Sequence, residues 1–230
     1  MLIALSPAKS LDFSAPPVAV EPTAPELLDR TRELAAVTKK LSRADLRRLM
    51  DISDKLADLN FERFQSFDPE ADGGLPAVLA FDGDVYTGLD ARTLDEAGLR
   101  WAQDRLRILS GLYGVLRPLD RLQPYRLEMG TRLRTKRGAT LYDFWGGRIA
   151  EALNAAAAGH GDPTLVNLAS AEYFGAVDAK ALKIPVVQVR FMDEKDGRLR
   201  TLGLYAKTAR GAMARWAIDR RVERAEDLKA

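Results

Sequence analysis

Apolar residues recur along this chain in short runs and in helical stripes, and the two patterns alternate. Leu2–Leu5 is a continuous apolar run at the very start and predicts a buried strand. Pro25 fits the first turn of a helix over residues 25–40, with Leu27, Leu28, Leu34 and Val37 on one face. Ser42, with Asp45 three positions on, predicts an N-capped helix to Met50. Ser53 predicts the cap of another, with Leu56, Leu59, Phe61 and Phe64 turned to the core. Residues 68–76 read as a loop around Gly73 and Gly74. The apolar stretch 77–81 then leads into the turn signal Asp82, Gly83, Asp84. Thr93 is the expected cap of a helix through about Leu106.

Residues 142–158 predict a helix ended by Gly159 and Gly161. Residues 164–168 are apolar and β-branched and predict a strand, followed by a short helix. The stretches 186–192 and 199–205 flank Asp196 and Gly197, a two-strand hairpin signal. Residues 208–222 predict a final helix. Helices and strands interleave without an internal repeat or a low-complexity linker. The expectation is a mixed α/β (α+β) fold in a single domain, 1–230.

Composition narrows the chemistry. The 230 residues are 47% apolar and 30% charged, ordinary globular values, so a core forms without a metal or disulfide. The absence of cysteine excludes disulfides, thiolate catalysis, zinc fingers and iron–sulfur clusters. A His-based metal site or a Ser/His/Asp triad would have to run through the lone His160, which Gly159 and Gly161 suggest is an exposed loop residue. No Walker A loop and no GxGxxG occur, so no cofactor is expected, and no stable metal site. No leader and no membrane span are visible, which makes the cytoplasm the expected location.

Net charge is only +2, but it is a cancellation. Residues 100–137 hold ten Lys/Arg against three Asp/Glu, and residues 195–230 hold ten against five. If these two basic segments meet, they make a surface for a polyanion; each is otherwise neutralised by acidic neighbours. The stretch RILSGLYGVLRP (107–118) has the outline of a helix-hairpin-helix, whose glycine backbone contacts phosphate without reading sequence. Its glycines, Gly111 and Gly114, stand three apart rather than two, and a structural turn is the alternative. On the final helix Lys207, Arg210, Gly211 and Ala214 share one side, fit either for a phosphate or for a close helix contact. The aromatic stretch 142–147 fits base stacking or a core helix start. A scatter of polar residues stands near predicted strand ends, where α/β proteins place pockets: Lys9, Asp84, Tyr86, Arg117, Tyr125, Arg126, Glu128, Asn167, Ser170, Glu172 and Tyr173.

The same stretches carry a family resemblance. LIALSPAKSLDF, SDKLADLNFERF, AFDGDVYTGL, LSGLYGVLRPLDRLQPYRLEMGTRL, LYDFWG, VNLASAEYF and YAKTARGAMARW resemble, in order and over nearly the whole chain, the YaaA family of peroxide-stress proteins. The resemblance implies a bacterial protein of the hydrogen-peroxide response that limits free iron. It further implies an α/β fold of unusual topology, DNA binding through a positively charged cleft and a helix-hairpin-helix-like element, and no established catalytic activity. It also implies a Phe/Gly/Tyr-containing segment beyond the position of Ala230. A chain without cysteine is no thiol-based peroxide sensor, and with one histidine any effect on iron is expected to be indirect.

Two functions follow as expectations. One is binding of double-stranded or branched DNA with little sequence preference, through Lys9, Gly111, Gly114, Arg117, Arg126, Lys207, Arg210 and Arg215. The other is an enzyme acting on a small anionic metabolite, with Lys9, Asp84, Tyr86, Ser110, Glu128 and Glu172 as acid–base groups. An enclosed polar pocket would favour the second and an open groove with spaced cations the first. The oligomeric state is open.

Overall fold

The computed structural model describes residues 1–195, 198–200 and 203–229. The chain opens with β1 (Leu2–Leu5), fully buried, and β2 (Ser10–Leu11). Three helices follow: α1 (Leu28–Thr38), α2 (Arg43–Met50) and α3 (Asp54–Ser66). The predicted caps hold: Ser42 and Asp45 form a capping box, and the Ser53 hydroxyl accepts from the Leu56 amide. Leu59, expected inside, is 44% exposed, and Asn60 takes the buried position by donating to the Leu56 carbonyl. Pro25 stands three residues ahead of α1 rather than in its first turn.

Short elements come next: β3 (Leu75–Pro76), α4 (Ala77–Ala80), β4 (Phe81–Asp82) and α5 (Asp84–Leu89). Helix α6 (Glu96–Arg105) is capped by Asp95, not Thr93. Thr93 ends a preceding 3-10 turn, and its hydroxyl donates to the Asp90 carbonyl instead. Then come β5 (Leu106–Ser110), β6 (Gly114–Leu116) and β7 (Arg121–Leu122). The helix expected over 142–158 is two, α7 (Leu141–Trp145) and α8 (Arg148–Ala157), broken where Gly146 takes φ +47°. The chain continues with β8 (Leu165–Asn167), α9 (Ala171–Phe174) and β9 (Val186–Gln188). A small hairpin, β10 (Asp193–Lys195) and β11 (Arg198–Arg200), precedes α10 (Gly203–Asp219). The hairpin expected from 186–192 and 199–205 is therefore corrected: the two strands that pair are Asp193–Lys195, outside the first stretch, and Arg198–Arg200, which only touches the second. Val186–Gln188 belongs to the main sheet, helix begins at Gly203, and the turn residues Asp196 and Gly197 lie outside the described residues.

Five strands make the central sheet in the order β6-β5-β1-β8-β9. Strand β1 is parallel to both neighbours, with Leu5 opposite Ile108 and Ala4 opposite Asn167. Strands β8 and β9 are also parallel, and β6 joins the edge antiparallel. Strands β1, β5 and β8 are buried throughout; β1 accordingly reads as an unbroken apolar run, while β5 and β8 carry the buried polar residues Arg107, Ser110 and Asn167.

The helix-hairpin-helix expected over 107–118 is not formed. Residues there make a β-hairpin, with Ile108 opposite Leu116 and Leu109 opposite Val115. Every residue from Leu106 to Leu116 is buried, and a short apolar run buried on both faces favours strand over helix. The Ser110 hydroxyl closes the turn by accepting from the Tyr113 amide, and Gly114 takes φ +72°. Arg107, inside β5, is buried and donates to the carbonyls of Gln103, Asp104 and Leu106.

His160 corrects a second expectation. Its side chain is only 5% exposed, with Nε2 lying 3.3 Å from the Asp104 carboxylate. Burial pushes its pKa below the ordinary 6.5, against the pull of Asp104.

Candidate functional site

The chain leaves β1 toward β5 on one side, then returns to place β8 and β9 on the other. The crevice between β1 and β8 is thus a switch point, where open parallel sheets bind ligands beyond the strand ends. A cleft of about 510 Å³ lies there. Its floor comes from the segments that run on from β1 (residues 6–10) and from β8 (Ser170, Glu172, Tyr173). Asp82, Gly83, Asp84 and Val85 add one wall, Lys207 and Arg210 of α10 another, and Glu128 a third.

Two glycines let α10 reach this position. Helix α10 crosses α5 at backbone contact. A Cβ on Gly211 would overlap the Val85 carbonyl, and one on Gly88 the Thr208 carbonyl. Of the two uses open to the small face of α10, the structure shows the close helix contact. That contact sets Lys207 Nζ 3.6 Å from the Asp84 carboxylate and brings Arg210 to the cleft wall.

Ion pairs organise the interior. Lys9 Nζ lies 2.7 Å from Glu128 Oε2, while Arg126 Nη2 donates to Glu128 Oε1 at 3.0 Å. Glu172 Oε1 accepts from the Gly130 amide at 2.9 Å, and the Tyr142 hydroxyl donates to the Glu172 carbonyl. Ser6 Oγ accepts from the Ser170 amide at 2.8 Å and ties the two floor segments together. Beneath the floor the Tyr86 hydroxyl donates to the Ser6 carbonyl at 3.1 Å. Ser110 Oγ and the Tyr125 hydroxyl share a hydrogen bond of 2.6 Å. Burial pushes the phenols of Tyr86, Tyr125 and Tyr173 well up, so all three are neutral hydrogen-bonding groups.

The predicted residues separate into groups. Lys9, Asp84, Glu128, Ser170, Glu172, Tyr173, Lys207 and Arg210 line one cleft. Tyr86, Ser110, Tyr125 and Arg126 stand directly behind or beside it. Arg117 does not join them: its guanidinium donates to Asp120, a carboxylate with no exposure at all, and to the Ala24 carbonyl. Arg215 pairs with Asp219 and donates to the Asp90 carbonyl. Asn167 donates to Gln188 within the sheet. Gly111 and Gly114 are buried, one against the Leu127 backbone and the other where an added Cβ would stand 2.6 Å from the Trp145 ring, so neither offers its backbone to solvent. Trp145 is itself fully buried and donates to the Gly111 carbonyl, so Trp145 and Phe144 are core, while Tyr142 is only half-buried. Sequence reasoning missed Asp82, Ser6, Ser10 and the support from Gly130 and Tyr142. Asp82, Gly83 and Asp84 after a buried apolar run was the available signal, and it reads equally as a plain turn.

By formal charge the cleft lining holds Lys9, Lys207 and Arg210 against Asp82, Asp84, Glu128 and Glu172. Cations and carboxylates alternate there. Among the described residues no group of three or more His, Asp and Glu could hold a metal ion, and no helix is long and apolar enough to cross a membrane.

Sheet and cleft together define a mixed α/β protein with a polar site at the switch point of a largely parallel sheet. Comparison with known proteins gives the family. The model of the peroxide stress protein YaaA matches residues 1–230, and the chain belongs to that family. It is 67% identical over 229 residues to a UPF0246 protein of Caulobacter vibrioides, covering 100% of this chain and 90% of the relative. A UPF0246 protein of Phenylobacterium zucineum is 65% identical, covering 100% and 86%, and one of Cereibacter sphaeroides 56% identical, covering 100% and 91%.

Proposed function

We propose that this peroxide-stress protein works as a single cytoplasmic domain whose strand-end cleft binds a small anionic metabolite and moves a proton on it. The observation that carries this reading is the convergence of Lys9, Glu128, Asp84, Glu172, Lys207 and Arg210 on one cleft, with most cations already facing a carboxylate. A groove for the phosphate backbone would keep its cations free for phosphates. Here two of the three cations are held against carboxylates, Lys9 on Glu128 and Lys207 on Asp84, and the same carboxylates are candidate proton acceptors. In this reading the Glu128 carboxylate accepts a proton from the bound molecule. Lys9, held against Glu128, stabilises the negative charge that develops, and Arg126 holds Glu128 in place. A thermal-shift screen of phosphorylated and carboxylated metabolites tests it. At least one is expected to raise the melting temperature of the wild type and not of Glu128→Gln. Failure of every metabolite, with retardation of duplex DNA at low salt, would overturn it.

A second reading, DNA binding without sequence preference, has its own support. Arg132, Arg134 and Lys136 are exposed and form no ion pair among the described residues. They belong to the first basic segment and are not among the residues that line the cleft. If DNA binds there, reversing Arg132 and Arg134 to Glu abolishes retardation while the cleft variants leave it intact.

A further inference from the structure

Charge within the cleft is unevenly satisfied, and the imbalance describes a ligand. Two of its three cations have a carboxylate partner, Lys9 with Glu128 and Lys207 with Asp84. Arg210 has none among the described residues, and no hydrogen bond to them, although it is half-buried and burial weakens its hold on its proton. A guanidinium kept partly from water without a counter-ion carries a desolvation cost that an oxyanion would offset. On the acidic side Asp82 and Glu172 are both exposed with no cation partner among the described residues, and of the two only Glu172 is fixed in place by a backbone amide. Glu172 lines the same cleft, and the amide that holds it is that of Gly130. Gly130 is shaped for this: a Cβ there would lie 3.1 Å from Glu172 Oε1. The second oxygen of Glu172 makes no hydrogen bond to the described residues.

We propose that the ligand of this cleft is an amine-bearing oxyanion, whose carboxylate or phosphate sits on Arg210 and whose ammonium sits on Glu172. This rests on the small-molecule reading of the cleft and deepens it. A simple anion would leave Glu172 unmatched, and a simple amine would leave Arg210 unmatched. A ligand with both charges matches both without breaking the Lys9–Glu128 or Lys207–Asp84 pairs, and leaves the exposed Asp82 to water. The cleft, at about 510 Å³, is within the usual range for small-molecule sites.

The test uses the ω-amino acids from glycine to 6-aminohexanoate, each beside its matched carboxylic acid and alkylamine, titrated at low ionic strength by calorimetry. Phosphoethanolamine beside β-alanine distinguishes a phosphate from a carboxylate. At the best chain length the amino acid is expected to bind about tenfold or more tighter than either matched compound. Arg210→Gln lowers affinity for the amino acid and the acid but not the amine. Glu172→Gln, which keeps an acceptor for the Gly130 amide, lowers affinity for the amino acid and the amine but not the acid. Arg210→Lys retains most of the binding if charge is what matters, and it serves where the Gln variant misfolds. If the acid binds as tightly as the amino acid at every length, the inference fails and the small-molecule reading of the cleft stands. If none of these compounds binds, the inference also fails, and the metabolite screen and DNA retardation decide the wider reading separately.

Discussion

Two glycine-bearing stretches, the 107–118 hairpin and α10, carry nearly the same message in sequence, small residues beside arginines, and the fold uses them in opposite ways. In the hairpin, Gly111 and Gly114 admit the Leu127 backbone and the Trp145 ring, and the nearby Arg117 turns to the buried Asp120. Nothing of that arrangement reaches solvent as a phosphate site. In α10, Gly211 also serves packing, but the packing partner is α5, whose first residue is a cleft carboxylate. Close approach there delivers Lys207 and Arg210 to the end of the parallel strands. A glycine beside a cation thus brings that cation to the strand ends only when what it packs against is itself at the switch point.

That contrast can be broken by substitution, and the largest effect is expected at Gly211. Gly211→Val forces a side chain into the Val85 carbonyl and should cost about 4 kcal/mol or more, separating α10 from α5. Chemical denaturation should show the loss, and any partly folded survivor should lose cleft ligands as well. Arg117→Ala comes next. It leaves the Asp120 carboxylate buried without its cation, at about 3 kcal/mol. If the contrast holds, ligand affinity measured on the folded fraction is unchanged; reduced affinity would mean the hairpin does reach the site. Gly114→Ala, strained at φ +72° and pressed on Trp145, should cost about 2 kcal/mol, again with affinity preserved.

The smallest effect is a pH dependence remote from both regions. His160 is buried near Asp104, Arg105 and the N-terminal amine, and its pKa is lowered mainly by burial. The folded state therefore takes a proton less readily than the unfolded chain. The contribution is fully present above the ordinary 6.5 and is lost as pH falls through the lower folded value. Denaturation midpoints of His160→Asn should change less than wild type across that window, while ligand affinity of the two proteins stays equal. An unchanged wild-type profile would mean the imidazole is solvated after all.

Much of this was legible in the chain. The apolar run at Leu2–Leu5, the Ser42 and Ser53 caps and the strand at 165–167 read directly, because local pattern and burial agree there. Most of the polar residues named at strand ends do meet in one cleft, because strand ends are where a parallel sheet opens, but Arg117 and Asn167 do not join them. The hairpin was misread because a buried strand and a buried helix share one apolar signature, and the family resemblance outweighed a glycine spacing that already fitted the motif poorly. His160 was misread because flanking glycines say nothing about what lies across from the loop. Pairing was invisible altogether. Seven Asp and Glu fewer in a basic segment than its Lys and Arg suggested a basic surface, yet Arg117, Arg121 and Arg137 each find an acid distant in sequence or in a turn.

We assign the strand-end cleft to a small molecule rather than to DNA. Amide chemical-shift mapping of the labelled protein tests this assignment most directly, with the best compound from the metabolite screen in one titration and a short DNA duplex in the other. The metabolite is expected to shift the amides of Lys9, Ser170, Glu172, Lys207 and Arg210, and the duplex to leave them in place. Shifts of those amides by the duplex and not by the metabolite would contradict the account.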